Sequence, residues 1–75
     1  MAAERTYDRT WEEIETMLGR AEKKMEKWKD FFEDCRERGD REGMKDAARN
    51  FKALEGVIKT LKWTLGDVSV ETPLE

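Results

Sequence analysis

The chain has 75 residues, of which 44% are charged and 37% hydrophobic, and its formal net charge is −3 at pH 7. Globular domains average about 45–50% apolar residues, so this chain has little material for a core of its own. A domain of roughly 60 residues buries only about 60% of the surface that its unfolded chain exposes, which leaves it marginally stable.

The residue types also exclude several functions. The chain has no histidine and one cysteine, which argues against general acid–base catalysis at neutral pH and against a disulfide-stapled secreted domain. No apolar run approaches the length of a membrane span, and the N-terminal residues 1–5 lack the apolar region of a signal peptide. We therefore expect a cytoplasmic protein that is not an enzyme, with no catalytic residue, no cofactor and no metal site.

The first predicted helix runs from about residue 10 to residue 38. Thr10 and Glu13 have the spacing of a capping box, and Gly39 is a natural helix terminator after Arg36 and Arg38. Apolar residues recur at alternating spacings of four and three, which is typical of a coiled-coil seam. This seam consists of Tyr7, Trp11, Ile14, Leu18, Ala21, Met25, Trp28, Phe32 and Cys35. In it, Cys35 is interpreted as a small core residue rather than a reactive thiol.

After a turn at residues 39–40, the second predicted helix runs from about residue 41 to residue 65. Asp40 is a good N-cap for it, Gly66 ends it, and residues 66–75 form an extended tail. Its apolar residues again alternate spacings of three and four. This second seam consists of Met44, Ala47, Phe51, Leu54, Ile58, Leu61 and Leu65.

The two seams match when the helices run antiparallel. The numbers of the opposed residues then add to 79 in every layer, from Cys35 with Met44 to Ile14 with Leu65. We therefore predict an all-α fold in which residues 1–75 form one coiled-coil-like, antiparallel two-helix hairpin.

Two helices leave part of this apolar surface uncovered. Met17, Phe31, Val57 and Ala48 lie beside the seams, so the apolar stripe is wider than two helices can bury. Closed two-fold pairing is the commonest way to cover such a stripe. We expect a homodimer that completes a four-helix bundle. The alternative is a monomer in which the first helix and the tail cover enough of this surface.

The outer face of the second helix carries a separate stripe of Ala53, Gly56, Thr60 and Trp63. A glycine within a helix costs about 1 kcal/mol relative to alanine, and tryptophan is enriched in binding hot spots. Alternatively, the tail folds back and covers Trp63 with Val68 or Val70. The predicted protein-interaction residues are Met17, Phe31, Ala53, Gly56, Val57, Thr60 and Trp63.

Charge is arranged in blocks along the chain. Residues 20–29 and 47–66 each carry a net charge of +3, and the intervening blocks are acidic. In the hairpin register the two basic blocks form a belt around the middle, which favours salt bridges between stacked subunits over contacts with phosphates. An acidic protein is also an unusual nucleic-acid binder. The candidate phosphate contacts of this belt are Lys23, Lys27, Lys52 and Lys59.

The sequence thus favours a non-enzymatic protein-interaction or adaptor module that self-associates through its helical faces, for example an accessory regulator. The alternative is a nucleic-acid-binding protein that uses the basic belt. Neither helix combines an unpaired apolar face with a uniformly basic one, so no membrane partner is expected.

Overall fold

The computed structural model describes Glu4 and residues 8–75, and these residues form two α-helices that pack against each other. Helix α1 spans Trp11–Arg38 and helix α2 spans Arg41–Thr64, with Gly39 and Asp40 between them. The described residues contain no strand. The predicted all-helical hairpin is confirmed, whereas Tyr7, the first predicted seam residue, lies outside the described residues.

Helix α1 begins with a side-chain cap. The Thr10 hydroxyl accepts a hydrogen bond from the Glu13 backbone N–H at 3.1 Å, which satisfies one of the free donors of the first turn. The Arg9 guanidinium lies 3.1 Å from the Glu13 carboxylate. The hydrogen bond from Arg9, followed by that from the Thr10 backbone, holds the pKa of Glu13 below its usual value.

The turn between the helices is formed by Gly39 and Asp40. Gly39 has φ 71°, in the left-handed region that glycine adopts without strain. The Asp40 backbone N–H donates to the Cys35 carbonyl at 2.8 Å, as in a Schellman motif. The Asp40 carboxylate in turn accepts from the Gly43 N–H at 2.9 Å and caps α2. One short segment therefore ends α1 and starts α2.

Helix α2 ends in the same way, because Gly66 has φ 82° and the Asp67 N–H donates to the Lys62 carbonyl at 3.0 Å. The tail that follows is a series of turns rather than an extended segment. It folds back along α2, where the Lys59 ammonium group donates to the Glu75 carbonyl.

Few side chains are fully buried between the helices. Within the described residues the buried set is Ala21, Cys35 and Ala47, all of which belong to the predicted seams. The other described seam residues are half-buried, with the exception of Trp11. The core is therefore a narrow strip between the two helices, and it is open on both sides of the plane that contains the helix axes.

The placement of Trp11 in the seam is wrong, because its side chain is 65% exposed. In the antiparallel register Trp11 would face position 68, but α2 ends at Thr64. No helical residue is present at that level to pack against the indole ring.

The hairpin exposes more surface than a compact protein of its size. Its accessible surface is 6586 Å², whereas a compact monomer of 8.9 kDa would expose about 4,800 Å². Its radius of gyration is 15.4 Å, against about 11 Å expected for 75 residues. About 1,800 Å² of additional surface therefore remains open to solvent.

Candidate protein-interaction surfaces

The hairpin has two open sides, one on each side of the plane that contains both helix axes. The heptad positions assign Met17 and Phe31 of α1 and Val57 of α2 to one of them, which we call the Met17 side. The opposite one carries Lys29 of α1 and Ala48 of α2, which line an apolar groove together. We call it the groove side.

The Met17 side exposes large apolar side chains. Met17 is 48% exposed, and Phe31 and Val57 are also exposed. The ring of Phe31 packs edge-on against Trp28, with the ring centroids 5.7 Å apart. Beside this pair lies a shallow depression of about 360 Å³, which is lined by Lys24, Lys27, Trp28, Phe31 and Asp46.

The outer face of α2 continues the apolar surface of the Met17 side. Trp63 is 51% exposed, and Val68 is 94% exposed and therefore does not cover it. Val70, the other residue of that alternative, lines a depression with Lys59 and Glu75. A methyl group added at Gly56 would meet no atom within 4 Å in the described part of the chain. The hairpin itself therefore does not require glycine at position 56.

Charged residues avoid this face of α2. At 100° per residue, the four charged residues between positions 50 and 64 fall within an arc of about 80° that points away from the Met17 side. They are Lys52, Glu55, Lys59 and Lys62. The structure thus places all seven predicted interaction residues on the Met17 side or on the adjoining outer face of α2.

The structure distributes the four candidate phosphate contacts around the hairpin. Lys27 borders the depression on the Met17 side, whereas Lys52 lines the groove on the opposite side and lies 3.8 Å from Glu55. Lys59 is hydrogen-bonded to the tail, and Lys23 is exposed. No single surface within the described residues gathers all four lysines.

The groove side is a feature that the periodicity did not identify as a site. A groove of about 300 Å³ is lined by Trp28, Lys29, Phe32, Ala47, Ala48, Phe51 and Lys52. A second stretch of about 420 Å³ is lined by Glu22, Met25, Glu26, Lys29, Phe51, Ile58 and Lys62. The two stretches share Lys29 and Phe51, so the groove is continuous. Its lining also brings Trp28 and Phe32 of α1 together with Ala47 and Phe51 of α2, which is consistent with the predicted register.

Cys35 is enclosed near the turn, which confirms its interpretation as a core residue. Its side chain is completely buried, and its sulfur lies 3.5 Å from a guanidinium nitrogen of Arg38 and 3.9 Å from the Asp40 carboxylate. The thiol is therefore part of the packing of the turn.

Neither α1 nor α2 is long and apolar enough to cross a lipid bilayer. Comparisons of this chain with protein-family models, with curated proteins and with solved structures give no match.

Proposed function

We propose that this protein is a non-enzymatic, cytoplasmic interaction module that self-associates through its open helical sides and acts as an adaptor. The observation that carries the proposal is the half-covered seam. Most apolar seam residues remain partly exposed, and Met17 and Trp63 add exposed apolar surface beside them. Contiguous apolar surface of this kind is typical of protein–protein interfaces.

The amount of open surface supports a homodimer. A standard protein–protein interface buries about 800 Å² on each partner. The chain, including its largely exposed tail, exposes about 1,800 Å² more than a compact monomer, so one such interface would remove roughly half of the additional surface. The other open side would remain available to a second protein, which is the geometry of an adaptor.

The test of self-association is solution mass by light scattering over a concentration series. We expect twice the chain mass at high concentration and a shift towards the monomer on dilution. A monomer at every concentration would contradict self-association, and both open sides would then be surfaces for other proteins.

One observation favours binding of single-stranded nucleic acid as the second candidate function. Lys24 and Lys27 border the same depression as Trp28 and Phe31, and lysines beside aromatic rings are what such proteins use to hold phosphates and stack bases. Asp46 at the same place opposes it. In a mobility-shift assay at low salt, this function predicts retention of an oligonucleotide that is lost when Lys24 and Lys27, which border the depression, are changed to glutamate.

A further inference from the structure

We propose that a second copy of this chain docks on the groove side, with α1 of each copy lying over α2 of the other. The proposal rests on the self-association proposed above and assigns to it a face and an orientation. It depends on three features of the groove side: its sorted charges, the absence of ion pairs across it, and its apolar floor.

Charges of opposite sign line the two edges of the groove. The heptad positions on this side of α1 carry five acidic and two basic residues, whereas those of α2 carry five basic residues and one acidic residue. The α1 edge contains Glu12, Glu15, Glu22, Glu26, Lys29, Glu33 and Arg36. The α2 edge contains Arg41, Lys45, Lys52, Glu55, Lys59 and Lys62. The hairpin therefore has an acidic edge and a basic edge on one side.

The hairpin does not neutralise these edges across the groove. The five ion pairs within the described residues all join side chains that lie three or four positions apart in the sequence. None of these pairs connects one helix with the other. Glu22, Glu26 and Lys62 line the same stretch of groove, yet none of them forms an ion pair with the facing helix. Glu33, Lys45 and Lys52 do pair with neighbours on their own helix, but exposed pairs of this kind are weak and exchange readily. The two edges therefore keep opposite net charges that a surface with the reverse arrangement can neutralise.

The tail lies against one end of the basic edge. The tail carries three acidic residues and no basic one, and its Glu75 carbonyl accepts a hydrogen bond from Lys59. The tail occupies the end of this edge near Lys59, whereas Lys52 and Lys45 lie further along α2, towards the turn.

A second copy supplies the reverse arrangement in one of two symmetric orientations. A two-fold axis parallel to the helices places the acidic edge of each copy on the basic edge of the other. An axis perpendicular to the helices and lying in the interface places acidic edge on acidic edge, which is repulsive. Electrostatic complementarity selects orientation in this way, so we assign the parallel axis.

The parallel axis does not shift residues along the helix direction, so the two copies keep the register of the hairpin. A residue of one copy therefore faces a residue of the other whose number brings the sum close to 79. Glu26 then lies level with Lys52 of the partner subunit. Glu33 lies level with Lys45 of the partner subunit in the same way. By symmetry each pair occurs twice, so four ion pairs form across the rim of the interface. In forming them, Glu33, Lys45 and Lys52 exchange or share the neighbours with which they pair in the single hairpin.

The floor of the groove provides the apolar part of the interface. Trp28, Phe32 and Phe51 are half-buried there, and Ala48 leaves room for close approach of another helix. Stacking two groove sides would enclose these rings between four helices, which is the core that one hairpin lacks. The Met17 side would stay on the outside of this dimer, where it can contact a different protein.

Charge reversal tests the orientation. We would measure dimer dissociation constants by sedimentation equilibrium for wild type, Glu26→Lys, Lys52→Glu and the double variant. Each single variant should raise the dissociation constant about tenfold or more, because it creates two like-charge contacts. The double variant should return close to wild type. An equimolar mixture of the two single variants should also dimerise, because the heterodimer restores both pairs.

Asp30→Lys and Lys23→Glu are the matched controls, because they make the same charge changes on the outer faces of α1. They should leave the dissociation constant within about threefold of wild type. If wild type is a monomer, self-association fails and this dimer fails with it. If wild type is a dimer but the single variants behave like the controls, or the mixture does not recover, the groove-side orientation is overturned and self-association stands.

Discussion

Cys35 and Gly43 fit together across the turn so closely that a Cβ atom on Gly43 would lie 2.5 Å from the Cys35 sulfur. Such a contact is far shorter than van der Waals separation. The added Cβ atom would also lie 2.6 Å from the Asp40 carboxylate. This carboxylate already accepts a hydrogen bond from the Gly43 N–H. The sulfur, the cap and the glycine therefore act as one packed unit that sets how α2 leaves the turn.

Replacement of Gly43 by alanine should destabilise the protein. Inserting a methyl group into a packed site costs about 1–3 kcal/mol, and the better helix propensity of alanine returns at most about 1 kcal/mol. We expect a net loss of about 1 kcal/mol in the free energy of unfolding, measured by urea denaturation. The loss should be smaller in a Cys35→Ala background, because the two sites are in contact.

Gly19→Ala is the matched control. A Cβ at this position of α1 would meet no atom within 4 Å among the described residues. The substitution should therefore stabilise the protein by roughly 0.5–1 kcal/mol through helix propensity. Equal effects of Gly19→Ala and Gly43→Ala would show that the contact with Cys35 does not constrain the turn.

Asp40 should contribute to stability through its side-chain cap. Asp40→Ala removes the acceptor of the Gly43 N–H, and loss of a cap costs about 1 kcal/mol. Asp40→Asn keeps an oxygen in the same place and should retain most of the stability. Thermal unfolding of both variants would decide between a cap and a purely electrostatic role, since the latter would make asparagine as damaging as alanine.

Glu13 should titrate below the usual range of a glutamate. Its pKa is lowered by Arg9 and by the backbone of Thr10, so the folded state holds the ionised form more strongly than the unfolded chain does. The stabilisation is therefore present above the ordinary glutamate pKa of about 4.3, and it is lost as the pH falls through the lower, folded value. An NMR titration should show this shift, and Arg9→Ala should move the pKa back towards its ordinary value.

The sequence was sufficient to predict the hairpin and the positions at which each of its two helices begins and ends. Alternating spacings identify a helix surface that must be covered, and Thr10, Asp40, Gly39 and Gly66 have local conformational preferences that need no tertiary information. All four residues act in the structure as predicted. Local physics therefore determined where each helix begins and ends.

Features that depend on three-dimensional packing could not be predicted from local sequence patterns in the same way. The exposure of Trp11 depends on the length of the opposite helix, and the folded-back tail depends on a hydrogen bond from Lys59 that spans 16 residues. The groove side was missed because a seam pattern treats both of its flanks alike. A separate count of the charges on each flank would have identified the acidic and basic edges from the sequence.

Substitution of Met17 on the Met17 side and of Trp63 on the adjoining outer face of α2 should leave the dimer intact, because neither residue lines the groove. Met17→Gln and Trp63→Ala replace exposed side chains, and exposed substitutions usually change stability by less than about 0.5 kcal/mol. We expect unchanged helicity by circular dichroism and an unchanged dimer mass. The fluorescence of a dye that binds apolar surface should fall, since the Met17 side would be the main apolar surface left open.

The same two variants distinguish the two open sides of the hairpin. If Met17→Gln and Trp63→Ala convert the dimer to a monomer without loss of helicity, the second copy docks on the Met17 side, and the groove is the adaptor surface. If they leave the mass unchanged while Glu26→Lys and Lys52→Glu dissociate the dimer, the groove side holds the copies together. Sedimentation equilibrium of all four variants over the same concentration series would show which surface holds the two copies together. The comparison is decisive because only Glu26→Lys and Lys52→Glu alter the groove side.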